Sequence, residues 1–316
     1  MLKKYVFFAL IFSFLYSDTH KEIFTKVYES NKRNPNEKCL FENTLQYHEL
    51  PEELQLSYEN DLYQILEEKI THAQIEIDPF PHLVINNFFP LDYYEKIMTH
   101  LFDASLAVKT PFSGRKKINL NTSGLNNINV PLQQVEFWHH LTLIANQWIK
   151  PLIAKKFLPY LSQVFPDASP SQLLKIVNNL SFHNSNENAY SDKIYYDTKK
   201  FKLHNHVDLP GYYCAILFYL GNYQDEIPFE IGTKLLYGPN YIKAGIDSSN
   251  GGNHCTFAKN IPYQPNTLAV ILRTPWSWHT AYGSSLLDDS YIRHVILFPL
   301  IFSKHLALPK EMSFKD

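Results

Sequence analysis

His206, Asp208 and His279 are the residues of this chain best placed to do chemistry. The first two stand two apart in Phe201-Lys202-Leu203-His204-Asn205-His206-Val207-Asp208, and in an extended segment side chains two apart share a face. One imidazole and one carboxylate therefore aim at one point. A metal there needs a third donor, which His279, in Trp276-Ser277-Trp278-His279, supplies if its segment lies alongside. Two imidazoles and a carboxylate leave the other positions of the ion open, the donor set with which non-haem Fe(II) admits dioxygen together with organic ligands.

The surrounding segments read as the strands that would position these donors. Pro210-Gly211 makes a turn and leads into the apolar run Tyr212 to Leu220; then come Gly232-Thr233-Lys234-Leu235-Leu236-Tyr237-Gly238-Pro239, the run Ile261 to Leu272, and Tyr291-Ile292-Arg293-His294-Val295-Ile296-Leu297-Phe298. Short strands divided by turn residues predict an all-β sandwich or barrel.

The order H-x-D, apolar strand, G-T-x-L-x-Y, Y-x-P-N-T-L, S-x-H and a closing arginine strand resembles the Fe(II)/2-oxoglutarate-dependent oxygenases, in their prolyl-4-hydroxylase-like branch. Asp78 to Pro90 is similar to the opening strand of that superfamily. The resemblance spans roughly residues 75 to 302. It implies a double-stranded β-helix core, a jelly-roll of cupin type, mainly β with flanking helices. It carries His206, Asp208 and His279 over as the metal ligands and Arg293 as the basic anchor of the cosubstrate. That last assignment is sound physically: a guanidinium is a planar fork matching a carboxylate and keeps its charge when buried. On a strand, Arg293 shares a face with Val295 and Leu297, so it is directed into the core, where a charge needs an anionic partner.

The resemblance further implies Fe(II), 2-oxoglutarate as cosubstrate, dioxygen, and room for ascorbate as an auxiliary. The reaction it implies is hydroxylation of a C–H bond with decarboxylation of 2-oxoglutarate to succinate. The substrate would be a peptidyl residue such as proline, or a small molecule. A tyrosine shortly before the H-x-D often binds the cosubstrate in this family; here Tyr195 and Tyr196 stand side by side, and the assignment falls on Tyr196. The glycine turn that usually follows is replaced by Asp197-Thr198-Lys199-Lys200. His204 would share the ligand face as a substrate contact, a tautomer-setting neighbour or a rim residue. Two rival classes remain: a cupin-like metal enzyme that does not use 2-oxoglutarate, and a non-catalytic barrel serving as a binding module.

Composition bounds the rest. With 316 residues, 45% of them hydrophobic, the chain has enough apolar mass for a full core. A net charge of −2 removes any broad electrostatic case for nucleic acid. The local basic runs Arg115-Lys116-Lys117 and Lys199-Lys200 read as solvated surface. Three scattered cysteines, Cys39, Cys214 and Cys255, show neither a disulfide framework nor zinc spacing.

Residues 1–17 read as a signal peptide or uncleaved anchor: Lys3-Lys4 precede the apolar run Tyr5 to Tyr16, though Leu15 stands where a cleavage site prefers a small residue. This predicts the lumen of the endoplasmic reticulum or a membrane anchor, with the cytoplasm as the alternative. Residues 18–75 read as a polar helical extension, best formed from Glu52 to Ile75, and 76–316 as the oxygenase domain. Further helices are predicted over Leu91 to Phe102, capped by Asp92 with Glu95, and over Leu132 to Trp148, ending near Pro151. Residues 240–260 are expected to form a long loop gating the substrate.

Overall fold

The computed structural model describes residues 52–164, 168–178, 180–182, 190–209, 211–223, 227–284 and 287–302. The apolar run of residues 1–17, the stretch 18–51 with Cys39, and Asn179 lie outside them. Among the described residues, no helix is long and apolar enough to cross a membrane.

The strands are β1 (Ile75–Glu76), β2 (His82–Ile85), β3 (Val108–Lys109), β4 (Arg115–Asn119), β5 (Leu180–Ser181), β6 (Lys193–Thr198), β7 (Tyr212–Leu220), β8 (Gly232–Tyr237), β9 (Thr256–Pro262), β10 (Thr267–Leu272), β11 (His279–Thr280) and β12 (Ile292–Phe302). Nine of them form one antiparallel sheet in the order β1-β2-β10-β7-β12-β6-β4-β3, with β5 on β12; β11-β8-β9 form a second. The sheets pack face to face: Tyr219, Ala269, Ile271 and Val295 of the larger meet Leu235 and Ile261 of the smaller. The architecture is a jelly-roll with helices on the outer face of the larger sheet.

That layering explains why β7 is apolar along its whole length and does not alternate. One face of β7 lines the interior. From the other, Phe218 packs edge-on against Phe88, Phe89 and Tyr94 on the helical side. Each such buried aromatic contributes about 1.5–3 kcal/mol. Where Leu300 and Ile301 of β12 pair with Cys214 and Tyr212, a bulge leaves Tyr213 unmatched. The extra residue shifts the phase of the strand and puts Tyr212 in one interior cluster with Ala215, Leu297 and Ile301.

Of the helices, α1 (Glu52–His72) buries the stripe Leu62, Leu66 and Ile70, the four-residue spacing of one helical face. It packs on α4 (Lys150–Phe157), where Lys156 donates to the Thr71 carbonyl at 2.6 Å. Helix α2 is shorter than its apolar pattern predicts, Leu91–Thr99, and Pro90 stands at its N-cap with no side-chain cap. The expected Asp92/Glu95 box is not the start signal; the fixed φ of proline serves instead. Helix α3 (Leu132–Ile144) also departs from expectation, because the chain does not stop before Pro151. A π-turn over Ala145–Ile149 leads straight into α4, with the proline in its first turn. Widening the turn there accommodates the missing N–H. Lys150, fully buried at this junction, donates to Asn146 at 2.7 Å and pairs with Asp192 at 2.9 Å, tying the helical layer to the residue that precedes β6.

Candidate active site

The structure brings His206, Asp208 and His279 together, with one donor atom of each within 4.8 Å of the others. His206 and His279 face each other as a hydrogen-bonded antiparallel pair, N–H to carbonyl at 3.0 and 2.9 Å in the two directions. Their rings are therefore cross-strand neighbours, with centroids 4.2 Å apart. Asp208 reaches both imidazoles: its Oδ1 is 3.8 Å from Nε2 of His206 and its Oδ2 is 3.8 Å from Nε2 of His279. Ligands bound at right angles about 2.1 Å from an ion stand about 3 Å apart, so less than an ångström of closure separates these contacts from coordination.

The intervening residues hold the three donors on one side. Val207 and Trp278, each next to a ligand, point the opposite way and bury together with Leu236, packed by Tyr241, Ile246 and Cys255. The indole of Trp278 donates to the Pro239 carbonyl at 2.8 Å. Gly238 is required there, because a Cβ would lie 2.3 Å from the indole Cδ1. The same residues correct the expected gating loop. Residues 240–260 contain helix α5 (Tyr241–Ala244) and the start of β9, and they are pinned to the ligand segment by Val207 N–H to Ser248 O at 2.8 Å and Gly251 N–H to Asn205 O at 2.6 Å. This stretch is therefore structured and tied to the ligand segment, not a featureless loop.

Tautomer and charge follow from local contacts. Nδ1 of His206 lies 2.9 Å from the His204 carbonyl and Nδ1 of His279 lies 3.0 Å from that of Ser277. A carbonyl only accepts, so each Nδ1 carries a proton, and each Nε2 is the ring nitrogen turned toward Asp208. Burial, then His279, brings the His206 pKa down to about 4, which keeps the ring neutral near pH 7. Oδ2 of Asp208 is buried with no hydrogen-bond partner among the described residues. Two imidazole Nε2 atoms and an orphaned carboxylate oxygen, all converging, fit a divalent metal ion. His204 serves this arrangement through its backbone carbonyl; its side chain is exposed.

A second charged group joins β4, β6 and β12. Arg293 is buried and donates from Nη1 to Oδ2 of Asp197 at 3.0 Å; its Cζ lies 5.4 Å from the ring centroid of Tyr219, whose hydroxyl donates to Thr233 at 2.6 Å. Its Nε has no partner among the described residues. Arg115 grips the same carboxylate with two bonds, Nε to Oδ1 at 2.6 Å and Nη2 to Oδ2 at 2.7 Å. Its guanidinium is stacked between Tyr195 and Phe201, 4.0 and 3.9 Å from their centroids. Two guanidiniums thus share the one carboxylate of Asp197, and Arg115 also acts on His206 of the candidate ligand set. Tyr195 links the two regions: burial raises its hydroxyl pKa, and Arg115, Asp197 and Asp208 all act on it.

Two sequence expectations are corrected here. Tyr196 does not reach the site: its hydroxyl donates to the Phe102 carbonyl at 3.0 Å on the helical side, and its ring meets His294 edge-on. Neighbours on a strand point to opposite faces, so Tyr195 is the inward tyrosine of the pair. Arg115, read as part of a surface run, has a side chain only 9% exposed and is ion-paired. Residues missed in the sequence are therefore Arg115, Tyr195, Asp197 and Tyr219. Cys214 is packed in the core, where burial pushes its thiol well above the ordinary range, and Asn121 is buried capping a short helix.

Lys193 shares the inward face of β6 with Tyr195 and Asp197, and it is 2% exposed. Burial, then Lys117, lowers its pKa to about 8. Above the unfolded value of about 10.4 neither state is charged; as pH falls from there to 8, the unfolded chain takes a proton that the folded one lacks, and about 2–3 kcal/mol of stability goes. Lys193→Met is expected to raise the urea midpoint at pH 7.5 and to narrow its difference from the value at pH 10. A variant less stable than the parent at pH 7.5 would contradict this.

No model of a known protein family matches the chain, and no curated protein matches it. Among solved structures it is similar to a prolyl hydroxylase from Trichoplax adhaerens in complex with a hypoxia inducible factor oxygen degradation domain peptide, with 12% identity over 81% of this chain and 95% of that one, and a TM-score of 0.36. It is also similar to HygX from Streptomyces hygroscopicus with nickel and 2-oxoglutarate bound, at 14% identity over 68% and 81% of the two chains and a TM-score of 0.37. A third likeness is to a rice dioxygenase for auxin oxidation, at 12% identity over 82% and 72% and a TM-score of 0.34. These are likenesses of outline, and the functional reading stands on the site's own geometry.

Proposed function

We propose that this chain is an Fe(II)- and 2-oxoglutarate-dependent dioxygenase that hydroxylates a C–H bond. The observation that carries this is the convergence of two Nδ1-protonated imidazoles and an orphaned carboxylate in a barrel that also buries Arg293 with its Nε unpartnered among the described residues. Nε2 of His206, Nε2 of His279 and the Asp208 carboxylate would hold the metal. Bound there, Fe(II) with 2-oxoglutarate supplies dioxygen activation, decarboxylation of the oxo acid to succinate, and oxygen transfer.

What the chain itself contributes is orientation and charge. Arg293, with Tyr219 beside it, offers its fork to the far carboxylate of the oxo acid, a charge-assisted contact that a dry interior strengthens. Tyr195 and Tyr212 stand near Asp208 and bring polar hydroxyls to its side of the interior. Leu217, Val295 and Leu297 line the same interior and exclude water. On the sequence resemblance, the substrate class to try first is a peptidyl residue such as proline.

One observation favours a rival. Asp197 already satisfies part of Arg293, as it would in a cupin-like metal enzyme with no need of 2-oxoglutarate. The unpartnered Nε and the second cation, Arg115, argue for an incoming anion. The deciding assay loads the protein anaerobically with Fe(II), then adds oxygen, 2-oxoglutarate and, in turn, proline-containing peptides, amino acids, sugars and lipids. Succinate release that rises with one substrate class and tracks its hydroxylation is expected. Failure to bind 2-oxoglutarate or release succinate with any of them would end the proposal.

A further inference from the structure

We infer that Asp197 is an internal substitute for the anion that Arg293 receives, and that Arg115 is built to take this carboxylate over when the anion arrives. The inference rests on the oxygenase reading above. The three residues form one rung of the larger sheet, since Asp197 on β6 lies opposite Arg115 on β4 and opposite Arg293 on β12. Their bonds are unequal. Arg115 holds both carboxylate oxygens at 2.6 and 2.7 Å, whereas Arg293 holds one, at 3.0 Å.

Release of Arg293 therefore breaks one longer bond and leaves Asp197 with two short, charge-assisted ones. Arg115 is fixed to receive it, because its guanidinium is clamped between the rings of Tyr195 and Phe201. Side-chain exposure of 1% for Asp197 and 4% for Arg293 keeps water from replacing either partner. An anion that fails to offer Arg293 a carboxylate in exchange would leave a buried charge without a partner, which is costly. Asp197 is thus a specificity-determining residue. It admits oxo acids bearing a second carboxylate and holds their affinity below what an unencumbered Arg293 would give.

The test is 2-oxoglutarate binding by calorimetry to the full chain loaded with Co(II). Asp197→Asn keeps the size and acceptor of the side chain but removes its charge, and binding is expected to tighten about tenfold. Arg115→Gln leaves Asp197 to Arg293 alone, and binding is expected to weaken about tenfold. Opposite signs from the two ends of one ion pair are the signature; a merely structural pair would give two losses accompanied by loss of Co(II). The double variant D197N/R115Q, which removes the pair as a unit, should bind at least as tightly as the parent and far more tightly than R115Q alone. Equal binding by R115Q and the double variant, or a D197N variant that retains Co(II) but binds no tighter, would overturn the inference and leave the oxygenase reading intact. Absence of 2-oxoglutarate binding by the Co(II)-loaded parent would instead remove that reading, and this inference with it.

Discussion

Alanine in place of His279 is expected to abolish metal binding and all succinate release while leaving the fold in place. On the proposed function the imidazole is one of three protein donors, and its loss would take away a bond to the ion itself. Changes one layer further out already cost about 10–100-fold in metal affinity, so a drop beyond about 100-fold in Co(II) or Fe(II) affinity is expected. The fold should survive because the pairing of this residue with His206 is through backbone atoms, and its neighbour Trp278 is anchored separately by Pro239 and the Val207–Leu236 cluster. Equilibrium dialysis with Co(II), alongside a circular dichroism melt, makes the measurement. Parent-like Co(II) affinity in the variant would show that the ion, if one binds, is held elsewhere.

Leucine in place of Arg293 should separate the cosubstrate from the metal. Truncating one partner of a buried charge pair costs about 2–5 kcal/mol, so 2-oxoglutarate affinity is expected to fall about 30-fold or more while Co(II) binding stays at the parent level. Asp197 keeps both of its bonds to Arg115 in this variant, so no carboxylate is orphaned. A variant that binds metal and turns over substrate like the parent would favour the rival metal enzyme that works without 2-oxoglutarate.

The positions of His206, Asp208 and His279 were legible because strand alternation acts locally: two residues apart means one face, and only the pairing partner had to be supplied by the fold. Arg293 was legible for the same reason, through its phase with Val295 and Leu297. The Tyr195-Tyr196 doublet was not, since with both positions aromatic nothing local fixes the phase, and a slip of one residue exchanges inside and outside. Arg115 was hidden more deeply. Its basic neighbours Lys116 and Lys117 give the run a surface composition, and the carboxylate that makes its burial tolerable, Asp197, comes from a strand 82 residues away. The length and turn residues of 240–260 suggested a loop, whereas Tyr241, Ile246 and Cys255 spend their apolar surface on Trp278. Beside the π-turn before Pro151, the ion pair between Lys150 and Asp192 joins a helix start to the approach to a strand, a contact that spacing alone does not announce.

The most direct test of the account is a crystal structure of the protein grown with Mn(II) or Fe(II), with anomalous scattering used to locate the ion. One ion bonded to Nε2 of His206, Nε2 of His279 and the carboxylate of Asp208 is the predicted result. An ion bound through Nδ1, an ion held by other residues, or no anomalous peak between these three side chains would contradict it.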